Sequence, residues 1–308
     1  MRTLDLDSLE IFRTVVTEGG VIRAAEKLNR VQSNVTTRVR QLEERLGVRL
    51  FRRKGRALEP SPEGLVLLQY ADRLLRLADE AQGVLQSGRP RGVFRLGSLE
   101  STAGSRLPSL LSRYHLEYPE VTVELVTGTT GALLRRMAAF EIEAAFVSEP
   151  FTAPDLNSRV MFNEELVLVS AKSHKKIRAA ADLGAVTLVA FASGCSYRQR
   201  LQEWIGLAGV LPARVLEFSS YQAMLACVSA GSGVAIVPRS LLEALRAMDD
   251  VQLHPLPEAV RRNHTHLVWH GTPSLALERL MAMPVAAGAP TSPTVPRRPS
   301  TQAVRRAA

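Results

Sequence analysis

Hydrophobic rhythm changes once along this chain, near residue 90. Before that point, apolar residues recur at helical spacing. After it, short apolar runs alternate with helical stretches. A chain with such a break cannot be one bundle or one sheet. It needs a helical head, a connection, and a larger unit of mixed α/β type. The head begins with Leu9, Phe12, Val15 and Val16 on one helical face, stopped by Gly19-Gly20. A second helix spans about Val21–Leu28, with the small pair Ala24-Ala25 turned inward. The third lies in "QSNVTTRVRQLEERLG" (32–47), where Val35, Val39, Leu42 and Leu46 fall at steps of four, three and four. Its other face carries Ser33, Thr36, Thr37 and Arg40. In "LFRRKGRALEP", Leu50 and Phe51 are apolar anchors. Arg52, Arg53, Lys54 and Arg56 surround a turn at Lys54-Gly55, which makes a short basic ribbon.

Ser61-Pro62-Glu63 is a helix start: a serine cap, proline at the first helical position, an acid in the first turn. Leu67, Ala71, Leu74, Ala78, Ala81 and Leu85 follow a 4-3-4-3-4 rhythm. Such a seam asks for a partner helix, and a dimer is favoured over packing on the chain's own head because no neighbouring segment obviously covers it. Residues 86–92 form the linker. Strands are expected at 93–97, 121–127, 143–148, 164–170, 186–190, 214–218, 233–237, 251–254 and 265–269, with helices near 104–117, 130–140, 196–208, 220–230, 239–247 and 273–282 between many of them. Alternation of this kind implies parallel sheets covered by helices, and the number of strands implies two α/β lobes with a crevice at the strand ends. The expected organisation is therefore a helix-turn-helix head at 1–60, a linker helix at 61–90, a two-lobed α/β unit at 91–284 and a disordered tail at 285–308 that is too polar to bury a core.

Net charge is +9, unevenly spread. Residues 1–60 hold thirteen Lys/Arg against eight Asp/Glu, and residues 285–308 hold four Arg and no acid, so 61–284 is neutral. A basic head on a neutral body points to a polyanion partner for the head alone. Cys195 and Cys227 have no metal spacing and are expected as reduced, buried thiols. The N-terminus has no apolar signal region, and no apolar run approaches the ~18–20 residues that span a bilayer. A cytoplasmic protein without a membrane partner is expected.

Two short helices with an outward polar and basic face on the second make a helix-turn-helix, whose second helix enters the major groove. Gln32, Asn34 and Arg40 suit base edges or phosphates. Thr36 and Thr37 offer hydroxyls and a methyl for thymine, and Ser33 belongs to the same leading turn. Arg52, Arg53, Lys54 and Arg56 suit phosphates or the adjacent minor groove. From 30 to 56, nine Lys/Arg face only Glu43 and Glu44, both at the trailing end of the helix, so the leading end is free of acid. That asymmetry favours double-stranded DNA over a solvated charged face.

In the second half, four strand-to-helix junctions are rich in hydroxyls. They are Ser98-Leu-Glu100-Ser101-Thr102, Gly128-Thr129-Thr130, Ser193-Gly-Cys-Ser196-Tyr-Arg198 and Ser219-Ser-Tyr221-Gln222. Free backbone N–H groups and the dipole at a helix start favour an anion, so a small carboxylate effector is expected, with Arg198 as its bidentate partner. Glu100 at the same mouth would repel a carboxylate and welcome an amine, which keeps an amino acid or polyamine-like ligand open. Hydroxyls that merely cap helices are the plainer alternative.

The stretches "LEIFRTVVTEGGVIRAAEKLN", "QSNVTTRVRQLEERLGVRLFRRKGR" and "SPEG" resemble the N-terminal region of LysR-type transcriptional regulators, and "YPEVTVEL" (118–125) and "VSAGSGVAIVP" (228–238) extend the resemblance over residues 5–284. It implies a winged helix-turn-helix, a linker helix and a periplasmic-binding-protein-like effector domain whose hinge crosses near Pro150–Leu166 and Arg262–Val268. It also implies a homodimer assembling into a homotetramer on an interrupted inverted repeat, with RNA polymerase as a further candidate partner. The chain departs from the family at Gly20-Val21-Ile22, Arg30-Val31 and Ser33, where capping Ser residues and a Pro are common. Enzyme readings fail locally. Gly231-Ser-Gly-Val-Ala-Ile precedes a strand rather than following one, and neither a Gly-x-Ser-x-Gly elbow nor a GK[ST] loop occurs. His264, His266 and His270 share a strand face, but no Cys or acid nearby in sequence completes a metal set. No cofactor and no metal are expected.

Overall fold

The computed structural model describes residues 4–54 and 57–284. The head contains α1 (Leu6–Thr17), α2 (Val21–Lys27) and α3 (Gln32–Leu46), then the antiparallel pair β1 (Phe51–Lys54) and β2 (Ala57–Pro60). Two apolar faces hold it together. Ile11 and Val15 of α1 pack with Ala24 and Ala25 of α2 and with Val35 and Val39 of α3. Leu9, Phe12, Leu42 and Leu50 form a second cluster, with the Phe12 and Phe51 rings 5.4 Å apart. The two small alanines let α2 lie close to its neighbours, as their spacing predicts. Arg56, the side chain of Lys54 and the 285–308 tail lie outside the described residues.

α4 (Pro62–Ser87) starts where expected. Ser61 Oγ accepts from Gly64 N–H at 2.9 Å and donates to Arg49 O at 2.7 Å. Its expected seam divides. Leu67 and Ala71 are buried with Leu9 and Phe12 of α1, so the head does cover this end of the helix. Of the rest of the seam, Leu74, Ala81 and Leu85 are exposed and Ala78 is half-buried; Val66, Tyr70 and Leu77, off the expected seam, are exposed as well.

The remaining strands are β3 (Gly92–Ser98), β4 (Val121–Thr127), β5 (Ala144–Ser148), β6 (Asn157–Ser170), β7 (Thr187–Phe191), β8 (Arg214–Phe218), β9 (Ala235–Pro238), β10 (Gln252–His254) and β11 (Arg262–Trp269). The helices are α5 (Glu100–Ser105), α6 (Leu107–Glu117), α7 (Thr130–Ala138), α8 (Ser196–Leu207), α9 (Tyr221–Ser229), α10 (Arg239–Ala244), α11 (Glu258–Arg261) and α12 (Leu275–Ala282). The sheets are mixed rather than wholly parallel. β3 pairs in parallel with β4 and β5, and β7 with β8, but β11 runs antiparallel to β5 and β6, and β6 antiparallel to β9 and β10. The exceptions have one cause: β6 passes from one lobe into the other. Its first half pairs with β11, its second half with β9 and β10.

β6 also starts seven residues before the expected 164, because its first residues are polar and exposed and carry no strand-like apolar pattern. The expected helix 104–117 is two helices that meet at Arg106, with a proline in the first turn of the second. The return crossing is complete by Arg262–His264, since from Thr265 onward β11 also pairs with β5. Cys195 and Cys227 are free thiols, half-buried rather than fully buried.

Candidate nucleic-acid interface and ligand cleft

On α3 the buried residues are Val35, Val39, Leu42 and Glu43, while Gln32, Ser33, Asn34, Thr36, Thr37 and Arg40 are all exposed on the leading half. Thr36 Oγ1 donates back to Gln32 O at 2.9 Å, which fixes its rotamer. Neither α2 nor α3 has a side-chain cap; Gly20 and Val31 occupy those positions, in line with the departures noted above. Arg52 and Arg53 stand exposed on β1, and Arg53 shares a shallow surface with Gln32 and the Gly19–Arg23 turn.

Ion pairing separates the arginines, which the sequence could not do. Arg30 and Arg38 both reach Asp7, and Arg38 lies 3.6 Å from it. Arg45 lies 2.8 Å from Asp5, Arg49 is paired with Glu43, and Arg52 is 3.8 Å from Glu59. Among the described residues, Arg40 and Arg53 form no ion pair. Glu43 is a residue that the sequence reading undervalued. Its buried carboxylate accepts from Leu50 N–H at 2.7 Å and Phe51 N–H at 3.3 Å, tying the end of α3 to the start of the wing.

In the two-lobed half, a narrow cleft opens at the ends of β3, β5 and β7. Of the expected ligand residues, Glu100, Ser101, Thr129, Ser196 and Tyr221 line it. Ser98, Thr102, Ser193, Arg198 and Ser219 do not. Ser98 is buried and donates to Leu99 O at 2.9 Å, Thr102 is buried inside α5, and Ser193 and Ser219 are exposed elsewhere. Arg198 does not take up the expected carboxylate-binding place: it pairs with Glu217 on β8 and donates to Phe191 O at 3.2 Å. Phe191, Cys195, Tyr197 and Ser148 line the cleft unanticipated, three of them at the same strand ends and helix starts as the hydroxyls.

Some of the hydroxyls are structural. Thr129 caps α7 by accepting from Ala132 N–H at 3.3 Å, and Ser196 Oγ lies 2.7 Å from Ser148 O and 2.9 Å from Thr130 Oγ1, joining the lobes. Ser101 Oγ and Tyr197 Oη are buried with no well-formed hydrogen bond. Glu100 reaches across the cleft to Tyr221 N–H at the start of α9, 3.3 Å from each carboxylate oxygen. Burial pushes its pKa up, opposed by that single N–H. Burial likewise raises the Cys195 thiol. The histidine set has an acid after all, supplied from far along the chain: Glu149 lies 3.0 Å from His264 Nδ1 and 3.5 Å from His266 Nε2, with Arg200 at 3.1 Å. Those groups, together with Arg200, hold Glu149 below the usual carboxylate range against its burial. His270 turns to Met137 O and stacks on Phe140. Among the described residues no group is suited to hold a metal ion, and no helix is long and apolar enough to cross a membrane.

A helix-turn-helix head carried by one long helix on a two-lobed α/β unit with a lined cleft is the build of a one-component transcriptional regulator. The chain belongs to the LysR family. Residues 6–65 match the bacterial regulatory helix-turn-helix protein, lysR family, and residues 87–286 match the LysR substrate binding domain. The HTH-type transcriptional regulator GltR of Bacillus subtilis (strain 168) is 36% identical over 256 residues, 83% of this chain and 86% of GltR. The regulator YofA of Bacillus velezensis is 38% identical over 259 residues, 84% of this chain and 89% of its own length. Full-length CbnR complexed with its target DNA superposes with a TM-score of 0.63 at 25% identity, over 90% of this chain and 98% of that one. A full-length OxyR variant from Pseudomonas aeruginosa reaches 0.69 at 21% identity, over 91% and 93%, a likeness of fold. These relatives are transcriptional regulators, not enzymes, and regulators of the family bind DNA and small-molecule effectors.

Proposed function

We propose that this regulator reads duplex DNA with the leading half of α3, through Gln32, Ser33, Asn34, Thr36, Thr37 and Arg40, while the wing arginines Arg52 and Arg53, with Lys54 and Arg56, track phosphates. One observation carries the reading: Arg40 and Arg53, exposed and without an acidic partner among the described residues, frame a face whose other side chains are short and polar. The uncapped start of α3 leaves backbone N–H groups free for a phosphate. The exposed Val66, Tyr70, Leu74, Leu77 and Leu85 of α4 suit a second copy, which gives a cytoplasmic homodimer, and a homotetramer by further pairing, on an inverted repeat. A small effector in the cleft then favours one arrangement of the lobes and reorients the paired heads, altering DNA bending and contact with RNA polymerase.

The test is a gel-shift titration of the full chain against the promoter beside its own gene. Arg40→Ala should weaken binding by about 1–3 kcal/mol for a base contact, or lower the slope of log K against log[salt] by about 0.9 for a phosphate. Unchanged affinity and slope for Arg40→Ala and Arg53→Ala together would refute this choice of reading face.

A further inference from the structure

We propose that the cleft takes a small organic ammonium compound, with Glu100 as its counter-ion and the Phe191–Tyr221 ring pair beside it. This rests on the reading of the cleft as the effector site and assigns the chemistry of what enters it.

Charge is the first ground. Glu100 is the one ionisable carboxylate in the lining, and no lysine, arginine or histidine lines it among the described residues. The neighbouring arginines are engaged elsewhere: Arg198 with Glu217, Arg200 with Glu149, and Arg106 with Glu164 at 2.7 Å. A carboxylate ligand would thus meet a like charge and no cation, whereas an ammonium would complete a half-buried charge that now has only one long-bonded backbone donor.

Hydrogen bonding is the second. Ser101 is 1% exposed and Tyr197 3%; their hydroxyls lie against each other, beside those of Ser148 and Tyr221, yet neither makes a well-formed hydrogen bond. An ammonium group carries only donors, and hydroxyl oxygens accept. The third ground is the pair of rings, Phe191 and Tyr221, with centroids 4.5 Å apart and both lining the cleft. Aromatic faces attract organic cations and their alkyl groups together.

The same geometry supplies the signal. Glu100 begins α5 in one lobe, and the N–H that it holds begins α9 in the other. An ammonium that draws the carboxylate competes with Tyr221 N–H and loosens that bridge, so ligand charge is converted into lobe position.

The experiment measures thermal unfolding and calorimetric binding of the full chain with propylammonium chloride and with sodium propionate at equal ionic strength. Propylammonium should raise the transition and propionate should not. Glu100→Gln, whose amide oxygen can still accept from Tyr221 N–H, should weaken propylammonium binding at least tenfold. Stabilisation by propionate alone, no stabilisation by either probe at saturating concentration, or full propylammonium binding by Glu100→Gln would each overturn the proposal. Gly128→Leu, provided its unliganded unfolding transition matches wild type, separates the two readings by adding bulk at a cleft-lining position where a Cβ stands 3.5 Å from Ala132 and 3.7 Å from Leu133. Binding that survives Glu100→Gln but is lost in Gly128→Leu defeats the charge assignment and leaves the cleft as the site. Binding that survives both defeats the cleft as well.

Discussion

Replacing Glu43 with alanine removes no group from the proposed DNA-reading side of α3, yet it should be costly for DNA binding. Glu43 is 9% exposed, and its carboxylate accepts from two backbone N–H groups, of Leu50 at 2.7 Å and of Phe51 at 3.3 Å. The Leu50 bond is buried, so its loss strands a donor at about 1–3 kcal/mol, while the longer, partly exposed Phe51 bond is worth roughly 1 kcal/mol or less. The Arg49 partner is 80% exposed and adds little. A local loss of about 2 kcal/mol is therefore expected, which corresponds to about a thirtyfold rise in opening of the α3–wing junction. Hydrogen exchange of the full chain reads this directly: protection of the Leu50 and Phe51 amides should fall by that factor, while that of β3–β5 amides stays unchanged. DNA affinity should drop too, because Arg52 and Arg53 are no longer held at a set distance from Arg40. Unaltered protection at Leu50 and Phe51 would refute the argument, since the carboxylate would then not be what holds the wing.

Gly64→Ala places a Cβ 2.2 Å from Leu50 O, a backbone atom that cannot swing aside, so the start of α4 must shift; a loss of about 1–3 kcal/mol in thermal unfolding is expected. Leu77, 62% exposed on α4, should belong to the subunit seam: Leu77→Glu should convert dimer to monomer in sedimentation, and an unchanged dimer would move the seam elsewhere. Asp5, which caps α1 by accepting from Ser8 N–H and also pairs with Arg45, has its pKa lowered from 3.8 to about 2. A depressed carboxyl pKa stabilises the fold above the unfolded value and ceases to do so as pH falls through the folded one. Asp5→Ala should thus cost about 1 kcal/mol at neutral pH in denaturant unfolding, with the gap to wild type closing between about pH 4 and 2.

What could be read from the sequence was whatever short-range pattern determines. Val35, Val39 and Leu42 face inward because helical spacing leaves them no alternative, and Ser61-Pro62 starts a helix through contacts within three residues. Partnerships formed across the fold were not legible. Arg30 and Arg40 look alike in sequence, yet Asp7, 23 residues before Arg30, neutralises one and not the other. Arg198 looked like an anion ligand because Glu217 sits on a strand whose neighbour only the sheet pairing reveals. Leu67 and Ala71 looked like half of a dimer seam until α1 was seen to cover them. In each case the local pattern was legible, and the distant partner changed its consequence.

How the two halves communicate follows from where α4 is held. Asp72 stands 3.9 Å from Arg13 of α1 and 3.4 Å from Arg95 of β3, so one carboxylate touches both head and lobe. One turn further on, Arg76 pairs with Glu143 at 3.2 Å, and Glu80 accepts from Leu275 N–H at the start of α12 at 2.8 Å. On the adjoining face, Arg73 lies 3.6 Å over the Phe140 ring, which in turn stacks on His270. The contacts differ in burial: the Arg13–Asp72 pair is partly open to solvent and contributes about 0–1 kcal/mol, whereas Arg76 and Glu143 are about four-fifths buried, so losing one partner would strand the other. Their arrangement matters more than their sum. A well-packed apolar seam would weld α4 to the lobe, whereas a row of separate polar contacts can be exchanged one at a time as the lobe turns. Under the proposed mechanism, the end of α4 that moves with the head is the end packed with leucine and alanine, and the end that would register the state of the cleft is the one held by charge.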